Sequence, residues 1–257
     1  MTTPKRLGIL GAMTEEVALL ASYMSVSEVQ ERAMRQYHVG TLSGQEAVLV
    51  FSRWGKVAAA STVTTLIEQY HCDMIVMTGV AGAADPSLSV GDCVIGDCFV
   101  QHDLDTVALG MPKFSLPLLG VESLSGDPDI VACLETAARD YIRQTMPQEV
   151  QPQQLATFGI QTPRVVTGTV ASGDQFIAQA KITQQLREQI PNLQCVEMEG
   201  AAVAQVCYEH GVPFGVFRVI SDKADMSAAL DFTAFVTQVA GYFTSGVIRR
   251  FAEIIQE

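Results

Sequence analysis

Hydrophobic positions along this chain switch repeatedly between short continuous runs and helical spacing. Residues 7–10 form an apolar run stopped by Gly11. Val17, Leu20 and Ala21 then recur at helical intervals within 15–23, which predicts a strand, a turn and a helix. Residues 37–42 and 47–51 flank Ser43-Gly44-Gln45, a hairpin signal in which glycine accepts a positive φ. Antiparallel pairing thus enters early, and the sheet is expected to be mixed. Residues 56–70 read as a helix. Residues 74–77 read as a fully buried strand running into Thr78-Gly79-Val80-Ala81-Gly82.

The alternation continues with a strand over 92–100, a loop over 101–119 containing Pro112 and Pro117, and a helix over 128–144. Residues 146–163 are rich in glutamine and proline and lack a clear period, so a surface excursion with room for one short turn is expected there. Strands over 164–171, 194–196 and 214–220 alternate with helices over 180–189, 199–210 and 231–255. Most of these strands end in glycine, an acid, or serine and threonine. The pattern predicts a single α/β domain over residues 1–257, a three-layer α/β/α sandwich around a central mixed, twisted β-sheet. Its site should lie at the carboxyl edge of the strands.

Composition sharpens this picture. Of 257 residues, 48% are hydrophobic and 17% charged, enough apolar material for a core on both sides of a sheet. The net charge of −12 argues against a nucleic-acid partner, because tracking a phosphate backbone needs clustered lysine and arginine. A nucleoside, which carries no phosphate, is compatible with this field. Cys72, Cys93, Cys98, Cys133, Cys195 and Cys207 form no CxxC pair and no Cys/His spacing, so they are expected to be buried free thiols in a reducing compartment. The run after Arg6 is too short and too quickly acidic for a signal peptide. No stretch approaches the ~20 apolar residues that span a bilayer. A cytoplasmic protein without a membrane partner is expected.

Familiar cofactor motifs are missing. Gly8-Ile9-Leu10-Gly11-Ala12-Met13 lacks the third glycine of a dinucleotide loop. Gly55-Lys56 is followed by Val57 rather than serine or threonine, and His102-Asp103 stands alone as a potential metal pair. Neither cofactor nor metal is expected. What remains is a series of acids at strand ends: Glu15 and Glu16, Glu197 and Glu199 in Val196-Glu197-Met198-Glu199, and Asp222 after Val219-Ile220-Ser221. A carboxylate in such a place can accept both hydroxyl protons of a ribose. Each acid also has an ordinary reading, as a first-turn helix acid or a turn aspartate. Arg218 differs from these, because a charge inside the apolar run 214–220 requires a partner.

Taken together, Gly11-Ala12-Met13 with Glu15-Glu16, Gly55-Lys56-Val57-Ala58-Ala59, Thr78 to Gly82, Ser172-Gly173-Asp174-Gln175-Phe176-Ile177, Val196 to Glu199 and Arg218 to Asp222 resemble the 5'-methylthioadenosine/S-adenosylhomocysteine nucleosidases of the purine nucleoside phosphorylase superfamily. The order and spacing agree from about Leu7 to the C-terminus, with 146–163 as an insertion. The resemblance implies hydrolysis of the N-glycosidic bond of an adenosine thioether, releasing adenine and a thioribose. It implies Glu16 as the water-activating base, Asp222 as the acid toward adenine N7, Ser221 orienting Asp222, and Arg218 near the attacking water. Glu199 would hold the ribose hydroxyls beside Glu197, with Met198 beneath the sugar. Phe176 would stack on the purine and the Ile177 backbone would read its edge. Met13, Trp54 and Phe232 would line the 5' pocket, and Val80, Ala81 and Gly82 would form the glycine-rich loop. Thr106, Leu109 and Pro117 would come from a second copy of the chain, making a homodimer.

Adenine leaves poorly until N7 is protonated, and the developing ribosyl cation needs water from the opposite face. An acid and a base on the two sides meet both needs, by analogy with inverting glycosidases. Asp222 must then hold its proton near neutral pH, so burial is expected to raise its pKa. The chain departs from the family at Val80, where serine is common, and at Thr106, Leu109 and Trp54, which alter the 5' pocket. Three alternatives stay open: an aminodeoxyfutalosine hydrolase, a phosphorolytic enzyme, and a nucleoside-binding sensor without catalysis. Met77, at a position where a second arginine would serve phosphate, weighs against phosphorolysis.

Overall fold

The computed structural model describes residues 5–224 and 228–256 and, for Glu15 and residues 228–231, the backbone alone. Its strands are β1 (Leu7–Gly11), β2 (Ser25–Arg32), β3 (Arg35–Leu42), β4 (Gln45–Phe51), β5 (Met74–Ala83), β6 (Cys93–Gln101), β7 (Leu124–Ser125), β8 (Val165–Ser172), β9 (Leu193–Glu197) and β10 (Phe214–Asp222). Its helices are α1 (Thr14–Ser22), α2 (Lys56–Glu68), α3 (Pro128–Asp140), α4 (Met146–Glu149), α5 (Pro152–Thr157), α6 (Ala180–Gln189), α7 (Gly200–His210), α8 (Ala228–Phe235) and α9 (Gly241–Ile254).

All the strands join one mixed sheet in the order β10-β6-β8-β9-β5-β1-β4-β3-β2, with β7 on β6. β10 pairs with β5 as well as β6, so this end of the sheet curls into a closed ring while β1, β4, β3 and β2 extend it outward. Successive residues of a strand face opposite sides, and here both sides are covered. Leu7, Ile9, Met74 and Val76 enter one apolar cluster with Val17 and Leu20 of α1, Leu134 of α3 and Phe243 and Phe251 of α9. Leu10, Ile75 and Met77 enter the other, with Val63 and Leu66 of α2 and Val203 and Cys207 of α7. The continuous apolar runs of β1 and β5 follow from this double coverage. Among the described residues no helix is long and apolar enough to cross a membrane.

Three regions differ from the sequence expectation. Ser25–Arg32 is a strand that pairs with β3 at the sheet's outer edge; it is mostly exposed, so it lacks the one-sided apolar alternation that marks a strand. β5 extends past Met77 to Ala83, because β10 continues to pair alongside its glycines. Residues 146–163 are not a bare surface excursion. α4 and α5 fold back so that Met146, Val150 and Ile160 are buried in the first cluster, and Phe158 meets Phe235 edge to face at 5.4 Å. Arg249 of α9 ties this segment down through an ion pair with Glu149.

Candidate active site

The parallel strands β1, β5 and β10 carry their carboxyl ends to one edge, where they open a cavity of about 340 Å³. Every residue expected to serve the site from within this chain lines it: Met13, Glu16, Trp54, Val80, Ala81, Gly82, Phe176, Ile177, Glu197, Met198, Glu199, Arg218, Ser221, Asp222 and Phe232. Ala12, Gln175, Val196 and Thr233 complete the wall, and each is a sequence neighbour of an expected residue. Thr106, Leu109 and Pro117 do not line it.

Glu16 sits in the first turn of α1, and its position follows from helix capping. Its Oε2 accepts the Met13 amide at 2.9 Å, as an acid three residues into a helix does. Its Oε1 accepts the Val80 amide from β5 at 3.1 Å. The side chain is buried, which rules out a solvated first-turn acid. Burial raises its pKa to about 7, against the opposing pull of Arg218 and of the Met13, Val80 and Ala12 amides. Glu16 is thus poised to exchange a proton near neutrality. The Val80 contact runs through the backbone, so valine in place of serine leaves it intact.

Arg218 finds its partners across the ring. On β10 it lies in register with Gly79 of β5, and its Nη2 donates to Glu197, to Glu199 Oε2 at 3.3 Å and to Met77 Sδ at 3.3 Å. Burial opposes the guanidinium charge, but Glu197, Glu199 and Glu16 outweigh it and hold its pKa above the ordinary value. Glu197 borders the cavity with both carboxylate oxygens engaged internally. They accept from Ser172, Arg218 and the amides of Glu199 and Gly200 at the start of α7. It therefore acts as the holder of Arg218 rather than as a free acceptor for a ligand. Glu199 keeps more latitude: Oε1 accepts the Gly55 amide at 2.9 Å. Burial and the nearby Glu197 carboxylate raise its pKa, against Arg218 and the Gly55 amide.

Asp222 stands at the far end of β10. The register slips between Ile220 and Asp222, bringing Asp222 opposite Gly82. Its Oδ2 accepts from Ser221 Oγ at 2.8 Å and its Oδ1 from the Ala224 amide at 2.8 Å. The aspartate is buried and borders the cavity, so it is more than a turn residue. Glu16 is fastened at Val80 and Asp222 lies beside Gly82. Two to three residues of extended strand set these acids roughly 7–10 Å apart along β5. The aromatic side chains form the mouth: Phe232 meets Phe176 edge to face at 5.6 Å and Trp54 at 6.3 Å. Among the described residues no cluster of histidine, cysteine and acids could hold a metal ion.

A mixed sheet flanked by helices, with acids from the start of α1 and the ends of β9 and β10 gathered at one carboxyl edge, defines the nucleoside phosphorylase-like class of α/β proteins. The sequence profile described as the phosphorylase superfamily matches residues 6–253. A 5'-methylthioadenosine/S-adenosylhomocysteine nucleosidase of Staphylococcus aureus is 37% identical over 234 residues, covering 91% of this chain and 93% of that protein. The Neisseria meningitidis nucleosidase of that name, solved with methylthio-immucillin-A, superposes with a TM-score of 0.85 at 28% identity, covering 97% of this chain and 99% of the other. A futalosine hydrolase of Helicobacter pylori superposes with a TM-score of 0.83 at 27% identity, over 97% and 98% of the two chains. The chain belongs to the phosphorylase superfamily and, within it, to the 5'-methylthioadenosine/S-adenosylhomocysteine nucleosidases.

Proposed function

We propose that this protein hydrolyses the N-glycosidic bond of 5'-methylthioadenosine and S-adenosylhomocysteine, releasing adenine and the thioribose. The observation that carries this reading is the placing of two buried acids, Glu16 and Asp222, on one cavity, the first fastened at Val80 and the second beside Gly82 of β5. Asp222 donates a proton to adenine N7, which turns the base into a competent leaving group. Glu16 takes a proton from the attacking water, and a group with a pKa of about 7 can do so at neutral pH. Glu199 accepts the ribose hydroxyls, Met198 lies beneath the sugar, and Phe176 stacks on the purine. Ser221 fixes the Asp222 carboxyl through its 2.8 Å hydrogen bond. The unit acts as one domain, and a cytoplasmic location suits its free thiols.

Water rather than phosphate is the nucleophile. Arg218 is the only cation among the described residues lining the cavity, and Glu197 and Glu199 already neutralise it. Met77 places a thioether beside it instead of a second cation. A phosphate dianion would find a negative site.

The 5' pocket is bounded by Met13, Trp54 and Phe232, and a second copy of the chain completes it with Thr106, Leu109 and Pro117. In support, Val107, Leu109 and Leu118 in and beside that loop are all exposed, so apolar side chains there are free to meet a second copy. The likeness to a futalosine hydrolase favours aminodeoxyfutalosine as a second substrate to test. Adenine release is measured from methylthioadenosine, S-adenosylhomocysteine and aminodeoxyfutalosine, each with and without phosphate. Phosphate-independent release is expected. Release that requires phosphate, or binding of all three without release, would overturn the reading.

A further inference from the structure

We infer that Lys56, Asp103 and Asp174 form a clasp that positions the substrate-facing groups of the cavity; the inference rests on the hydrolytic reading above. These are positioning residues, since none of them lines the cavity. They come from three separate segments at the carboxyl edge: the first residue of α2, the loop after β6 and the loop after β8. Lys56 Nζ donates to Asp103 Oδ1 at 2.6 Å and to Gln101 Oε1 at 3.1 Å. Asp103 Oδ2 accepts the Asp174 amide at 2.8 Å, and Asp174 Oδ1 accepts the Lys56 amide at 2.8 Å. The circuit closes on itself.

An exposed ion pair contributes little by itself. This one differs in two ways. The Lys56 and Asp103 side chains are only 17% and 20% exposed. Asp103 and Asp174 also each hold a backbone amide of another loop, a charge-assisted bond that fixes main chain rather than a free side chain. Packing is close as well: a side chain at Gly55, where φ is +91°, would place its Cβ 3.0 Å from Asp174 Oδ1. A side chain at Gly173 would collide with the His102 ring.

Each arm of the clasp ends beside a group that faces the substrate. Gly55, next to Lys56, gives its amide to Glu199 Oε1 at 2.9 Å, and Trp54 precedes it. Phe176 and Ile177 follow Asp174 closely. Gln101 passes the Lys56 contact on to Gln205 of α7 at 2.7 Å, the helix that begins directly after Glu199. Glu16 and Asp222 are held separately, by α1, β5 and β10. Opening the clasp therefore loosens the ribose acceptor and the aromatic walls while leaving the two acids in place. That predicts weaker substrate binding with the chemical step preserved.

Lys56→Met and Asp103→Asn test this, with Lys56→Arg as the variant that retains the ion pair. Trp54 is the chain's only tryptophan, so its fluorescence quenching by acrylamide reports on this loop without any need for turnover. Both disrupting variants are expected to raise KM for methylthioadenosine on the order of tenfold, with kcat held within about threefold. Trp54 should become more quenchable in both, and Lys56→Arg should restore KM and quenching together. KM and quenching within about twofold of the unsubstituted protein in both disrupting variants would overturn the clasp. So would a loss of kcat at constant KM that follows a fall in melting temperature. If the unsubstituted protein releases no adenine, the hydrolytic reading fails alone. The clasp is then judged by Trp54 quenching and by the Kd for adenine in the same variants.

Discussion

Arg218 and Glu16 share the space above Gly79. A Cβ built at that glycine would collide with the Arg218 guanidinium and lie 3.0 Å from Glu16 Oε1. The missing side chain thus lets a buried acid of α1 and a buried cation of β10 meet over β5. Gly79→Ala should fold yet displace both groups. A displacement of about 1 Å is enough to reduce kcat on the order of 10²-fold, read by adenine release.

Glu16 sets a pH dependence with a definite sign. In the proposed role Glu16 works as a carboxylate; its pKa is about 7, so protonation below that pH would remove the base. The logarithm of kcat/KM should fall with a slope of one below about pH 7, and Glu16→Gln should lose most of its activity. The folded protein binds this proton more tightly than the unfolded chain, whose value is near 4.5. The stability from that proton is full below about 4.5 and is lost as the pH rises through about 7. A pH–rate profile without an acid limb near 7 would remove Glu16 from the role.

Asp222→Asn keeps the shape and the Ser221 contact but removes the transferable proton. Adenine release should fall by about 10²- to 10⁴-fold, the usual range for general acid catalysis. Near-normal turnover in this variant would sink the assignment.

Glu197→Gln leaves Arg218 buried with a neutral neighbour where a carboxylate stood. Breaking a buried pair from one side costs about 3–5 kcal/mol, which urea unfolding can read. An unchanged unfolding midpoint would mean that Glu199 alone balances the guanidinium.

Leu109→Glu places a charge on an exposed side chain of the loop expected to meet a second copy. Sedimentation should show monomers, and KM for methylthioadenosine should rise, as the 5' pocket loses one wall. A dimer with unchanged KM would place the interface elsewhere.

Much of this site was legible because its chemistry is written at strand ends. Val196 to Glu199 and Val219 to Asp222 each join an apolar run to acids, and both reach the cavity. The oddity of Arg218 within an apolar strand correctly signalled acidic partners, found in Glu197 and Glu199. What could not be read depends on contacts distant in sequence. β2 has polar residues on both faces, so no periodicity marks it. Residues 146–163 owe their order to single anchors, Met146, Val150, Phe158 and Ile160, spaced without a period and buried only once α9 and Phe235 are in place. The closure of the ring through β10 pairs residues more than a hundred positions apart, and no local pattern encodes it.

That closure bears on how the molecule breathes. β10 carries Arg218, Ser221 and Asp222 and is hydrogen-bonded along both edges, to β5 and to β6. Fraying a free edge cannot release it. Amide hydrogens at 216–219 should therefore exchange with solvent only when the whole sheet opens, whereas the aromatic mouth, held by loops and by Phe232, can fluctuate on its own. Substrate entry and the integrity of the acid are governed by separate equilibria. The protein can admit a ligand often without ever exposing the backbone that holds Asp222 in place.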